Sequence, residues 1–217
     1  MKINHHLDDA TILAFAAGTI GEAHGFVAAT HMALCPVCQE AKHRAEAVGG
    51  QLFSQQDEVA VSNTCRSATL ASLDAIKPKS VAPKAALQAG VPAVLCNALG
   101  NVPLDDLQWR ARGPGIAIYE VPLTAKSKTH LQLLRIAPGS RLPEHGHGGE
   151  EITVVLRGSY KDHTGRYASG DVADLDQDTE HQPIVDSDVD CICLVATEAP
   201  TRFKSIWARL AQPFIGI

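Results

Sequence analysis

Two different hydrophobic periods divide the chain. Up to about residue 76, apolar positions recur every three or four residues, the helical spacing; beyond residue 103 they alternate as in strands. Leu7-Asp8-Asp9 opens a short first helix, with Asp8 as N-cap and Gly18 as its stop. Thr19 and Glu22 form the T-x-x-E pattern of a capping box ahead of a second helix. In that helix Ala23, Phe26, Val27, Thr30, His31 and Leu34 share one face, so His31 is expected among buried apolar neighbours. Pro36 suits the first turn of a third helix, and Gly49-Gly50 is expected to end it. A fourth, weaker helix spans about Thr64 to Ile76.

From Lys77 to Pro103 the chain carries four prolines, which marks a linker with one helical piece around 84–98. Strands are predicted at Gly115–Val121, Thr129–Ile136, Glu151–Leu156 and Asp190–Val195, separated by Pro-Gly and Gly-Asp turns. Short strands at this spacing point to an antiparallel barrel or jelly roll. The tail from Phe203 to Ile217 is expected to dock on that barrel. The predicted class is therefore α+β with two domains: a small helical unit over 1–85, a linker over 86–103, and an antiparallel β-barrel with its tail over 104–217.

Composition narrows the function. Up to residue 85 there are seven basic and eight acidic residues, and the remainder holds twelve and sixteen. Neither part has the basic excess that a phosphate backbone demands, which argues against direct nucleic-acid binding and against a zinc-finger DNA binder. No apolar run approaches the ~18 residues of a membrane span, and the start has no leader-like apolar stretch, so a cytoplasmic location is expected. There the six cysteines stay reduced, which favours metal binding or redox sensing over disulfides.

His31-x3-Cys35-x2-Cys38 is the most specific motif of the helical half. Positions i and i+4 of a helix share a face, which brings His31 to Cys35. Cys35-Pro36-Val37-Cys38 then turns into the next helix, where the positive dipole end favours a Cys38 thiolate. A structural zinc site takes four ligands in a tetrahedron, and His5 or His6 can supply the fourth. Taken singly, each residue reads as core packing; together at this spacing they read as a metal site. His24 and His43 lack such support and are assigned to the surface. The early His followed by His-x3-Cys-x2-Cys resembles the zinc-binding anti-sigma factors of the ChrR type. That resemblance selects His6 with His31, Cys35 and Cys38. It implies a zinc domain sandwiched between the two domains of an extracytoplasmic-function (ECF) sigma factor, hiding the surfaces that contact RNA polymerase.

The second constellation follows Gly139: five residues, His145-x-His147, three residues, Glu151, six residues, Gly158. This spacing matches the first cupin motif. Residues two apart in extended chain point the same way, so His145 and His147 are expected to face the barrel interior. Gly170-Asp171 opens a matching second motif and His181 lies eleven residues after Gly170. Asp176 and Asp178 stand where the motif has Pro and a second Gly, which weakens the turn signature. Glu150 competes with Glu151, and the spacing to Gly158 favours Glu151. Three His and one Glu suit Zn, Fe, Mn or Ni by ligand type; the resemblance implies zinc.

Cys191-Ile192-Cys193 places two sulfurs on one face of a strand, either packed inside the barrel or acting as redox sensors. Cys65 and Cys96 are read as packing residues, and Asp8-Asp9 as a helix start. The resemblance extends over nearly the whole chain, including Leu210–Ile217. It implies a non-catalytic regulator that binds an ECF sigma factor and releases it under singlet oxygen or organic hydroperoxide. The competing reading is a metal-dependent cupin enzyme, a dioxygenase or isomerase.

Overall fold

The computed structural model describes residues 2–76, 88, 90–124, 129–199 and 202–203. The tail beyond Phe203, including Leu210–Ile217, lies outside these residues, as does most of 77–89, so the expected docking of the tail falls outside them too. Five helices come first: α1 (Asp9–Ala16), α2 (Glu22–Met32), α3 (Pro36–Ser54), α4 (Cys65–Asp74) and α5 (Ala93–Ala98). After a 3-10 turn at Leu104–Asp106 the strands are β1 (Arg110–Gly113), β2 (Ile116–Glu120), β3 (His130–Ile136), β4 (His145–Gly146), β5 (Glu151–Arg157) and β6 (Ser159–Lys161). The remainder are β7 (Arg166–Ala168), β8 (Val172–Leu175), β9 (Glu180–His181), β10 (Ile184–Val185), β11 (Cys191–Thr197) and β12 (Arg202–Phe203).

All strand pairs are antiparallel. A six-stranded sheet runs β1-β2-β3-β11-β5-β8, with three-stranded sheets β10-β6-β7 and β12-β4-β9. The large sheet is buried on both faces. Ile152, Val154 and Leu156 of β5, with Ile192, Leu194 and Ala196 of β11, pack in one core with α1, α2 and α5. The alternate residues Val155, Cys191, Cys193 and Val195 face a second core with Tyr160, Tyr167 and Val185. That double burial explains why EITVVLR and CICLVAT read as nearly unbroken apolar runs. Gly158 sits in the turn after β5 at φ +73, where a Cβ would lie 2.8 Å from the Asp190 carbonyl oxygen, so only glycine fits.

Helices α1, α2 and α5 therefore lie on one face of the large sheet. The segment predicted as a linker also contributes core: Val91, Leu95, Cys96 and Leu99 are buried. Several local expectations are corrected. The Thr19–Glu22 capping box does not form: Gly21 is the N-cap, Thr19 Oγ1 donates to the Ala14 carbonyl, and Glu22 Oε1 accepts from the backbone N–H and hydroxyl of Thr124. A partner about a hundred residues away outcompetes the local one. Helix α3 runs through Gly49-Gly50 to Ser54, because neither glycine takes the left-handed conformation that stops a helix. Gly18, at φ +70, does end α1.

Candidate metal centres

His31 is the last-turn histidine of α2 and Cys35 the N-cap of α3, with Pro36 at its first position. The connection is short because the N–H groups of Leu34 and Cys35 both donate to the His31 carbonyl. Cys38 lies in the first turn of α3 and is buried. Residues before α1 bring His6 alongside, and the ligand atoms of His6, His31, Cys35 and Cys38 lie within 4.8 Å of one another. His6 Nδ1 is 3.3 Å from Cys35 Sγ, and His31 Nε2 is 3.3 Å from Cys38 Sγ. The edge of a tetrahedron with zinc-like bonds of ~2.0 Å to nitrogen and ~2.3 Å to sulfur is roughly 3.5 Å. The donor set therefore fits a tetrahedral metal with little movement.

Electrostatics agree with that fit. His31 is fully buried and its pKa is lowered to about 4, first by burial, despite the Gly170 carbonyl that accepts from its Nδ1–H at 2.9 Å. With Nδ1 protonated, Nε2 presents a lone pair toward the sulfurs. The Cys38 thiol is pushed up to about 11, chiefly by burial and against the Leu7 N–H that favours its thiolate. The thiol is therefore not the ready thiolate that the sequence led us to expect, and a cation would favour its ionised form. His5 goes elsewhere: its ring packs on Tyr167 with centroids 4.3 Å apart, and its Nε2 meets the Arg166 carbonyl.

The second cluster lies at the inner face of the sheets. β4 pairs with β9, placing His145 opposite His181, and His147 joins them. His145 Nδ1–H donates to the Pro143 carbonyl at 2.8 Å and His181 Nδ1–H to Asp162 Oδ2 at 2.8 Å. Both Nε2 atoms then face each other as lone pairs at 3.0 Å. His147 Nε2 is buried without a hydrogen-bond partner among the described residues. A bound cation would satisfy both the opposed ring nitrogens and the orphaned one, so this set also fits a metal. The pKa of His145 falls to about 4, mainly through burial.

Glu151 opens β5 and is buried, but it is not within the three-histidine group. Its Oε2 lies 3.2 Å from His147 Nδ1 and its Oε1 accepts from Thr153. Burial opposes its ionisation, yet the His147 contact wins and holds it down at about 2. A cavity of about 50 Å³ adjoins the site, lined by Glu151, His145, His181, Tyr160 and Cys193. His181 is also shared with a polar depression over Glu144, Lys161 and Glu180. Cys191 and Cys193 point the same way, with sulfurs 3.6 Å apart. Both are buried, and hydrogen bonding to Cys191, together with burial, holds the Cys193 thiol well above its usual pKa.

Three residues escaped the sequence reading. Asp162 orients His181 from 19 positions away, and no local signal marks it. Asp171 was noted only as the start of a motif. His24, assigned to the surface, is buried with its Nε2 3.3 Å from the Glu150 carbonyl. Its spacing of seven from His31 on the same helix was the available clue. Cys65 is exposed and not a packing residue, whereas Cys96 is buried.

A helical unit with an N2S2 cluster, lying on a cupin-like sheet with a three-histidine cluster, defines a two-part protein with two candidate metal centres. Residues 99–200 match the model of the ChrR cupin-like domain. Anti-sigma-E factor ChrR of Cereibacter sphaeroides is 39% identical over 217 residues, all of both chains. The crystal structure of Rhodobacter sphaeroides SigE in complex with the anti-sigma ChrR matches at 37% identity and TM-score 0.76, over 90% of this chain and 99% of that one. An RmlC-like cupin protein of Ralstonia eutropha is a distant match, at 16% identity and TM-score 0.42, over 52% of this chain and 83% of that one. The chain belongs to the ChrR family of anti-sigma factors.

Proposed function

We propose that this chain is an anti-sigma factor that binds and inhibits an ECF-type sigma factor. The helical domain, 1–85, holds zinc through His6, His31, Cys35 and Cys38. The cupin domain, 104–217, joined through 86–103, holds zinc or another divalent transition metal through His145, His147, His181 and Glu151. It responds to singlet oxygen or organic hydroperoxide by promoting release.

One observation carries the reading. From Glu46 onward α3 is wholly exposed, as is every described side chain of α4, although both helices carry large apolar residues. Phe53 is 81% exposed, with Val48, Leu52, Leu70 and Leu73 also bare. Exposed apolar side chains grouped in this way mark a surface that a partner covers. The relative named in the SigE complex gives that partner its class.

Zinc would tie the residues before α1, the end of α2 and the start of α3 to one point, and so present these helices. A structural centre needs no open position, and the chain matches an anti-sigma factor over its whole length. Both favour a regulator over an enzyme. No helix among the described residues is long and apolar enough to cross a membrane, and a sigma factor works in the cytoplasm, where we place this chain. Sensing through Cys191 and Cys193 requires an opening step, since both thiols are buried and Cys193 is held well above its usual pKa.

The test is co-expression of the tagged chain with the ECF sigma factors of its own genome. One of them should co-purify and be inhibited in transcription. Cys35→Ala and His31→Ala should lose it. Capture of no sigma factor by the zinc-loaded wild type refutes the assignment.

A further inference from the structure

Asp171 has no exposed surface and lies outside the three-histidine cluster, in the turn between β7 and β8. Such a carboxylate is tolerated only when its oxygens are hydrogen-bonded. Oδ2 accepts from Ala168 N–H at 2.9 Å, within its own turn. Oδ1 leaves the sheet domain altogether. It accepts from Asn4 N–H at 2.6 Å and His5 N–H at 3.0 Å, the two residues just before His6. The preceding residue, Gly170, accepts from His31 Nδ1–H. Further along β8, Asp174 Oδ2 accepts from Asp8 N–H at 3.1 Å, on the other side of His6. One short stretch of the sheet domain thus touches the backbone flanking one candidate zinc ligand and the ring of another.

We propose that Gly170 and Asp171 are positioning residues of the zinc centre, so that the sheet domain sets the zinc affinity of the helical domain. This rests on the reading that His6, His31, Cys35 and Cys38 hold zinc. The Gly170 carbonyl fixes the His31 tautomer that leaves Nε2 free to bind, as the outer partner of a metal-bound histidine does. The Asp171 carboxylate fixes the extended residues that carry His6, which is itself exposed. An untethered His6 would have to be ordered at the moment of binding, at an entropic cost. β8 continues from this turn to Leu175, which pairs with Glu151 beside the second cluster. Adjacency alone is not coupling, so the test perturbs the turn and reads the zinc.

The experiment uses the full chain. Zinc affinity is measured by competition with a chromophoric chelator, and site geometry from the cobalt spectrum, whose thiolate charge-transfer band reports this centre alone. Asp171→Asn retains the shape but turns an amide NH2 toward a backbone N–H. Asn4→Pro removes one N–H from the residues before His6 and leaves every sheet side chain intact. Asp188→Asn, at an exposed position, is the control. Asp171→Asn is expected to weaken zinc binding about 10- to 100-fold, the usual range for losing an outer partner. Asn4→Pro should weaken it about tenfold, both with an altered cobalt spectrum and unchanged metal stoichiometry at the second cluster. Wild-type affinity in both variants overturns the proposal. Weakening in Asp171→Asn with none in Asn4→Pro also overturns it, because the carboxylate would then serve only its own turn. Absence of the thiolate band from the wild type would instead sink the zinc reading itself.

Discussion

Asp162→Asn tests whether the second cluster is built to present lone pairs to a metal. The Asp162 side chain is 2% exposed and accepts from His181 Nδ1–H at 2.8 Å. It also accepts from Thr164 N–H at 2.8 Å, the Thr164 hydroxyl at 2.6 Å and Gly165 N–H at 3.2 Å. Burial opposes its ionisation, but the His181 and Thr164 donors outweigh it and hold the pKa at about 2, below the ordinary 3.8. Because the folded value is depressed, the group stabilises the protein above pH ~4, and that contribution is lost as pH falls toward ~2. A shift of this size is worth about 2 kcal/mol, or roughly 4–8 °C in melting temperature for a chain of this length.

The variant changes more than stability. Asparagine has one acceptor oxygen, which stays with the Thr164 turn, so its NH2 faces His181 Nδ1. The imidazole then takes the other tautomer and points Nε2–H at His145. Metal affinity at this cluster should fall about 10- to 100-fold, measured by zinc titration with the thiolate centre followed separately through its cobalt band. A folded Asp162→Asn protein with unchanged affinity at the histidine cluster would refute the tautomer argument.

Three further outcomes follow from burial and exposure. Phe53→Glu, at an 81% exposed site, should abolish sigma-factor co-purification while leaving metal content and melting within experimental error; retained binding counts against the α3–α4 surface. Leu95→Ala should cost about 2–5 kcal/mol in denaturant unfolding, because this side chain of the proline-rich connection is fully buried; a neutral result would mean the segment is not core. In zinc-loaded protein a thiol reagent should modify Cys65 quickly, and Cys96, Cys191 and Cys193 only at the rate of opening; rapid loss of more than one thiol contradicts the burial.

Local spacing determined a good deal by itself. The i, i+4 and turn geometry of His31, Cys35 and Cys38 needs only a helix and its neighbour. The predicted strands at Thr129–Ile136 and Glu151–Leu156 match β3 and β5 within a residue or two because strand alternation is also local. Tertiary structure decided what depends on residues far apart. It set His5 against Tyr167 and His6 against Cys35, where the residues alone left the two equivalent. It turned Glu22 from a cap into an acceptor for Thr124, buried His24 against the Glu150 carbonyl, and placed Glu151 beside the three-histidine group. Hydrogen-bond partners and desolvation come from whichever surface packs on an element, and no short window of sequence contains that surface.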